Sequence, residues 1–227
     1  MIPTATQPPR LQLKDEAAAH IRELIVSGQV PPGHLLRLAP LAERVGASIT
    51  PVREALLLLA QDGWVTQEPN RGFRVMTITR RDVEDAYLVQ SFVTGELAAR
   101  ASLVIDDEQI TALRAIDDEI NAHTADDRGF LESANYQLHD TIYAVADSDR
   151  LTWFVRSASR FVPRRFWGLI PGWMEHNRTG HGPVIDALEA RDANAARVAM
   201  ALHIEFAGRL LLSHLDAIGF WAVDESI

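Results

Sequence analysis

The sequence predicts a mainly α chain: an N-terminal winged helix-turn-helix followed by an all-α bundle. Three observations predict it. Residues 38–75 hold two short amphipathic helical patterns joined by Gly46-Ala47-Ser48, then two strand-like runs that turn at Pro69-Asn70-Arg71-Gly72. From about residue 79 onward, apolar residues recur at helical spacing with no convincing strand run. The charge divides at nearly the same place: residues 1–81 hold 10 basic and 7 acidic side chains, residues 82–227 hold 12 and 24.

With 227 residues, 47% of them hydrophobic, the chain can bury a sizeable core as one large domain or two modest ones. The net charge of −9 argues against a nucleic-acid partner for the whole, but the first part carries a small basic excess and can face phosphate. Absence of cysteine excludes disulfides, thiolate metal sites and cysteine nucleophiles. The start, MIPTATQPPR, lacks the apolar core of a signal peptide, and no apolar run reaches the roughly 18 residues of a membrane span. The expectation is a soluble, cytoplasmic protein with no membrane partner.

Residues 1–13, with Pro3, Pro8 and Pro9, read as a flexible arm. Over 14–27 the residues Ala17, Ala18, Ile21, Leu24 and Ile25 fall at helical spacing, and Gly28 is a stop signal. Pro31-Pro32-Gly33 makes a turn, and 35–38 is a short extended link. Leu41, Ala42 and Val45 give a second helix, which Gly46 ends in a left-handed position. Thr50-Pro51 reads as an N-cap with proline at the first helical position, so a third helix spans about 51–61. Its Ala55, Leu56 and Leu59 face the core, while Thr50, Arg53 and Leu57 share another face. In a helix-turn-helix the N-terminal end of that second face lies in the DNA major groove. Residues 64–68 and 73–77 form the wing, with Arg71 at its tip, either reaching into a minor groove or simply solvated.

The junction is Thr79-Arg80-Arg81-Asp82, where Thr79 or Asp82 caps a long helix to about residue 102. Further helices are predicted over 107–124, 129–146, 150–167, 173–191 and 192–215, with residues 168–172 the clearest break. The domains are therefore 14–78 and 79–218, flanked by the arm 1–13 and a tail, 219–227.

In the second domain Asn135 and His139 stand four apart on one helical face. His181 and His203 flank the turn at Arg191-Asp192 almost symmetrically, so an antiparallel helix pair brings them level, about 15 Å from that turn at 1.5 Å per residue. Three imidazoles and one amide oxygen can then converge in the bundle. Imidazole suits Zn, Ni or a similar divalent ion, with positions left for water or ligand. The bland alternative, satisfied polar groups, stands beside the metal for these three histidines. It is preferred for His20, His34, His123, His176 and His214.

Four ordered blocks carry a resemblance: Val30-Pro31-Pro32-Gly33, Leu41-Ala42-Glu43-Arg44-Val45-Gly46-Ala47-Ser48, Thr50-Pro51-Val52-Arg53-Glu54-Ala55-Leu56 and Asp62-Gly63-Trp64-Val65. Over about residues 14–77 the chain resembles the DNA-binding domain of GntR-family transcriptional regulators. The resemblance implies that Ser48, Thr50 and Arg53 contact the operator from the recognition helix, Arg71 and Gly72 from the wing, and Arg37 and Ile49 beside them. Two departures bear on base reading. Ile49 stands where the family commonly has arginine, and Leu57 and Leu58 where it is often polar or basic.

Residues 82–215 are similar to the FCD domain of the FadR-like branch, a six- or seven-helix bundle that binds small effectors, often carboxylates, frequently through a metal. Its ligands are an aspartate and a histidine four apart, then two histidines in the last helices. Leu138-His139, the run 181–188 and Met200-Ala201-Leu202-His203 match those places. Asn135 replaces the usual aspartate, which removes a negative charge, weakens metal retention and favours an anionic ligand. Gln90 stands where an effector-pairing arginine is common, and Arg160, or Arg156, Arg164 or Arg165, is a substitute.

The function expected is a homodimeric, ligand-responsive DNA-binding regulator on a palindromic operator, not an enzyme. Two alternatives remain: a metal-dependent enzyme with an accessory winged domain, for which Glu132 and Asp140 are the carboxylates near His139 in sequence, and a regulator that has lost its metal.

Overall fold

The computed structural model describes residues 10–69, 71–123, 127–159 and 170–221. The described residues divide into two compact units, 10–78 and 79–221.

In the first unit α1 (Arg10–Val26) packs on α3 (Ile49–Gln61), with α2 (Leu38–Val45) beside them. The stripe Ala17, Ala18, Ile21, Leu24 and Ile25 of α1 is buried against Val52, Ala55, Leu56 and Leu59 of α3. Both sets follow the i, i+3, i+4, i+7 spacing of a half-buried helix. Arg22 and Asp62 join α1 to the end of α3 through a part-buried ion pair at 2.8 Å. The wing is a three-stranded antiparallel sheet of order β1-β3-β2, made of β1 (Leu35–Leu36), β2 (Val65–Glu68) and β3 (Gly72–Val75). Glu68 faces Gly72 across the turn, and Leu36 faces Phe73. At Gly72 φ is 122°, and an added Cβ would lie 2.4 Å from the Leu36 carbonyl oxygen, so β1 can pair there only against glycine.

Several sequence expectations change in this unit. The first helix begins at Arg10, inside the expected arm, and residues 1–9 lie outside the described residues. The expected link 35–38 contributes a strand, because Leu35 and Leu36 pair with β3. Ser48, not Thr50, occupies the N-cap of α3, which places Thr50 and Pro51 within its first turn. Proline is tolerated there because the first-turn N–H groups have no intrahelical acceptor. Gly46 ends α2 in the left-handed region, φ 68°.

The second unit is helical throughout its described residues: α4 (Arg80–Ser102), α5 (Asp107–Ala122), α6 (Arg128–Val145), α7 (Asp149–Ala158), α8 (Trp173–Gly180), α9 (Gly182–Glu189) and α10 (Ala193–Ala217). Thr79 caps α4 in a reciprocal box with Asp82, and Asp106 and Gln109 do the same for α5. The core joins Leu97, Ala98 and Ala101 of α4 to Leu113, Ile116 and Ile120 of α5, Leu131, Leu138 and Ile142 of α6, Val184, Ile185 and Leu188 of α9, and Met200 of α10.

The helix expected over 173–191 is two helices. Pro183 has no N–H to bond the Thr179 carbonyl, and the ladder breaks between Gly180 and Gly182. The break carries His181 into the interior, where it is 0% exposed. Of the helix expected over 150–167, α7 accounts for the first part, and 160–169 lie outside the described residues, as does the end of the expected tail, 222–227. Against the expectation that no segment could span a membrane, α10 is long and apolar enough by length and composition. Burial supplies the reason, since its Ala196, Met200, His203, Ala207, Leu211 and Leu215 are core residues of the bundle.

α4 and α10 approach closely. A Cβ on Gly95 would lie 2.8 Å from the Arg197 carbonyl oxygen, a backbone atom that cannot swing aside. Alanine favours a helix interior by about 1 kcal/mol over glycine, whereas overpacking a tight contact costs about 1–3 kcal/mol. Gly95→Ala is therefore expected to lower stability in urea unfolding; a gain would show that the two helices separate freely.

Candidate functional site

The outward face of α3 gathers the residues singled out for DNA. Ser48, Thr50 and Arg53 are exposed at its N-terminal end, with Ile49 48% and Leu57 43% exposed beside them. No side-chain cap bond occupies the Ser48 hydroxyl. Arg37, the residue before α2, is exposed, as is Arg71 at the wing turn, whose N–H donates to the Glu68 carbonyl at 3.1 Å. Among the described residues Arg37, Arg53 and Arg71 make no ion pair. Arg74, in contrast, is committed to Glu68 and to the Gly33 carbonyl, and its guanidinium holds the Glu68 carboxyl below its usual range. Gly72 is held by the β1 contact described above.

The second site lies in the helical unit. α6 contributes Asn135 and His139, the break between α8 and α9 contributes His181, and α10 contributes His203. All three imidazoles are buried, and one ligand atom from each falls within 4.8 Å of the others. Ring centroids are 5.4 Å apart for His139 and His181, 5.2 Å for His139 and His203, and 4.7 Å for His181 and His203. Asn135 Oδ1 lies 3.1 Å from His181 Nε2. This spacing is that of neighbouring ligands around one small ion.

The surroundings keep the His139 and His203 rings neutral. Burial, and then the neighbouring rings His181 and His176, pushes His139 down to about 3. Burial likewise takes His203 well below its usual value. Tyr143 Oη meets His139 Nδ1 at 3.3 Å. His203 Nδ1 is buried with no hydrogen-bond partner, and an added Cβ on Gly180 would lie 2.4 Å from it. His181 Nδ1 is also buried and unpartnered, 3.6 Å from Asp117 Oδ1. The unpartnered Nδ1 of the neutral His203 ring is a ready donor to a divalent cation, and a buried polar atom left unpaired costs about 1–3 kcal/mol. The residues fit a divalent ion.

Sequence reasoning missed part of this cluster. His176, read as a satisfied group, does bond through Nε2 to the His203 carbonyl oxygen at 2.9 Å, but it also stacks on the His203 ring at 4.5 Å. A signal existed: Trp173, His176, Asn177 and Gly180 share one face of α8. Asp117 was missed as well, although it sits on the stripe Ile110, Leu113, Asp117, Ile120, a carboxylate in a core position. Asn177 is 1% exposed, and neither polar atom of its amide has a hydrogen-bond partner.

Gln90 is buried on α4; its Oε1 meets Ser159 Oγ at 2.9 Å and its Nε2 has no hydrogen-bond partner. Arg160, with Arg164 and Arg165, lies outside the described residues, and Arg156 is exposed and pairs with Asp140 at 3.4 Å. That pair turns Asp140 outward, away from the role of general base.

Comparison with known proteins agrees with this two-part reading. Residues 13–75 match the family model described as bacterial regulatory proteins, gntR family, and residues 85–206 match the FCD domain. An HTH-type transcriptional regulator of Agrobacterium vitis is 30% identical over 57% of this chain and 79% of its own length. A probable D-xylose utilization operon transcriptional repressor of Paenarthrobacter nicotinovorans is 26% identical over 82% of this chain and 85% of its own. The solved structure of E. coli McbR/YncC superposes with a TM-score of 0.66 at 21% identity, covering 90% of this chain and 97% of that one.

Proposed function

Because the chain belongs to the GntR family of bacterial transcriptional regulators and carries its FCD domain, we propose that it is a ligand-responsive regulator. It binds a palindromic operator as a homodimer and takes a divalent ion and a small anionic effector in the helical unit. The observation that carries the reading is the buried His139, His181 and His203 cluster with Asn135 at its edge.

Four neutral donors leave the charge of a bound ion uncompensated by the protein's inner ligands. Such an ion, zinc, nickel or similar, offers its remaining positions to an anionic group such as a carboxylate. Gln90 supports a role in effector binding, since its unpaired Nε2 is a buried donor for a carboxylate oxygen. With glutamine rather than arginine here, the effector's charge falls to the ion. In the first unit, phosphate and base contacts come from Arg37, Ser48, Thr50, Arg53, Arg71 and Gly72, with Ile49 giving apolar contact.

The decisive test is a gel shift with fragments from the chain's own locus, with and without Zn(II). A sequence-selective complex is expected, and its absence under both conditions overturns the reading.

Dimerisation draws support from α4, where Leu88 is 65% and Phe92 75% exposed, one turn apart on the same face, with Val89 beside them. Phe92→Glu would bury a charge in that contact. Sedimentation is expected to show self-association weakened by about tenfold or more, and unchanged dimers would place the interface elsewhere.

A further inference from the structure

Asn135 gives the three-histidine centre a neutral edge, and the structure contains a carboxylate that answers it. We propose that Asp117 of α5 supplies the missing negative charge from outside the ligand set, holding a bound divalent cation through His181. The inference rests on the metal reading above and adds to it a residue and a distribution of charge.

The His181 ring bridges two partners. Its Nε2 lies 3.1 Å from Asn135 Oδ1, and its Nδ1 lies 3.6 Å from Asp117 Oδ1. Both Nδ1 and Oδ1 are buried, and neither has a hydrogen-bond partner. The second carboxylate oxygen, Oδ2, receives Asn121 Nδ2 at 3.4 Å, which leaves Oδ1 turned toward the ring. His181 stands at the break between α8 and α9 with a side chain 0% exposed, so the ring has little room to turn. Closure by about half an ångström would bring Nδ1–H into hydrogen-bond range of Oδ1.

A carboxylate in that position does two things to an imidazole. It holds the proton on Nδ1, so that the Nε2 lone pair faces the cation, and it makes that lone pair a stronger donor. His139 differs, since its Nδ1 meets the hydroxyl of Tyr143 at 3.3 Å. Asp117 thus restores one negative charge without occupying a coordination position. An inner aspartate would restore the same charge but repel an incoming anion at close range. Asn135 inside and Asp117 outside keep the cation bound while leaving its open side attractive to a carboxylate.

Zn(II) affinity of the full chain, measured by competition with a chromophoric chelator, tests this. Asp117→Asn is expected to weaken binding about 10- to 100-fold, the usual effect of removing a carboxylate behind a metal-binding histidine. Adding Asn135→Asp to that variant is expected to recover most of the loss. A purely structural Asp117 would instead lower the melting temperature of the metal-free chain, and a charge at residue 135 would not rescue it. Equal affinity of Asp117→Asn and the parent chain, or a double variant as weak as the single, overturns the inference. A parent chain that binds no Zn(II) overturns the metal reading itself, and this inference with it.

Discussion

Zn(II) is expected to stabilise the helical unit, and replacing His203 by alanine is expected to abolish that effect. For the parent chain, an ion present at a hundredfold over its dissociation constant adds about 2.7 kcal/mol, and at a thousandfold about 4.1 kcal/mol. In a domain of this size each kcal/mol is worth roughly 2–4 °C. Zn(II) should therefore raise the melting temperature by about 5–15 °C, and a chelator should reverse it. His203 is the informative position because the rings of His139, His176 and His181 all lie against its own. The comparison must be between metal increments, since removing a buried ring also leaves a cavity and lowers the metal-free stability. His176 still keeps its acceptor in the variant, because it bonds to the backbone carbonyl of residue 203 rather than to the side chain. Calorimetry with and without Zn(II) decides the matter: an increment as large in His203→Ala as in the parent would mean that the ion binds elsewhere.

The arrangement behind that prediction was only partly legible in the chain. Local signals with a single physical meaning carried through to the structure. Gly46 closes α2 with a left-handed residue, and Thr79 with Asp82 opens α4 with a reciprocal cap. The meeting of His181 and His203 was legible because two helices joined by a tight turn have one register. Where a signal depended on partners distant in sequence, it failed. Leu35 and Leu36 are too short to show any periodicity and become a strand only because β3 offers its edge. The break at His181 was present in Gly180, Gly182 and Pro183, yet the helical spacing on both sides masked it. Asp117 drew no reading from the sequence, and its burial follows from the packing of α5 on α6 and α9. Similarly, α10 is apolar beyond what one buried face requires, and composition alone does not separate a bundle's central helix from a membrane span.

The same limit applies to DNA recognition, where the scaffold is legible and the base preference is not. Arg53→Ala is expected to weaken operator binding by about 1–3 kcal/mol per half-site, roughly 5- to 150-fold, and the loss counts twice in a symmetric dimer. Folding stability should stay within about 0.5 kcal/mol, because Arg53 is exposed and, among the described residues, makes no ion pair. Salt and sequence dependence separate its two possible roles. A base-reading arginine relaxes preference at one operator position, whereas a phosphate contact weakens all sequences alike and reduces the salt slope by about one. Ile49 gives the complementary gain experiment. At 48% exposure in the first turn of α3 it presents only hydrocarbon, suited to a thymine methyl, where an arginine would offer a paired donor to guanine. Ile49→Arg is expected to move preference toward guanine at the facing position or to tighten binding generally, through an added positive charge. Selection from a randomised operator pool reads both outcomes. An unchanged consensus with unchanged affinity would place Ile49 outside the base-reading surface and leave specificity from this helix to Arg53 with Ser48 and Thr50.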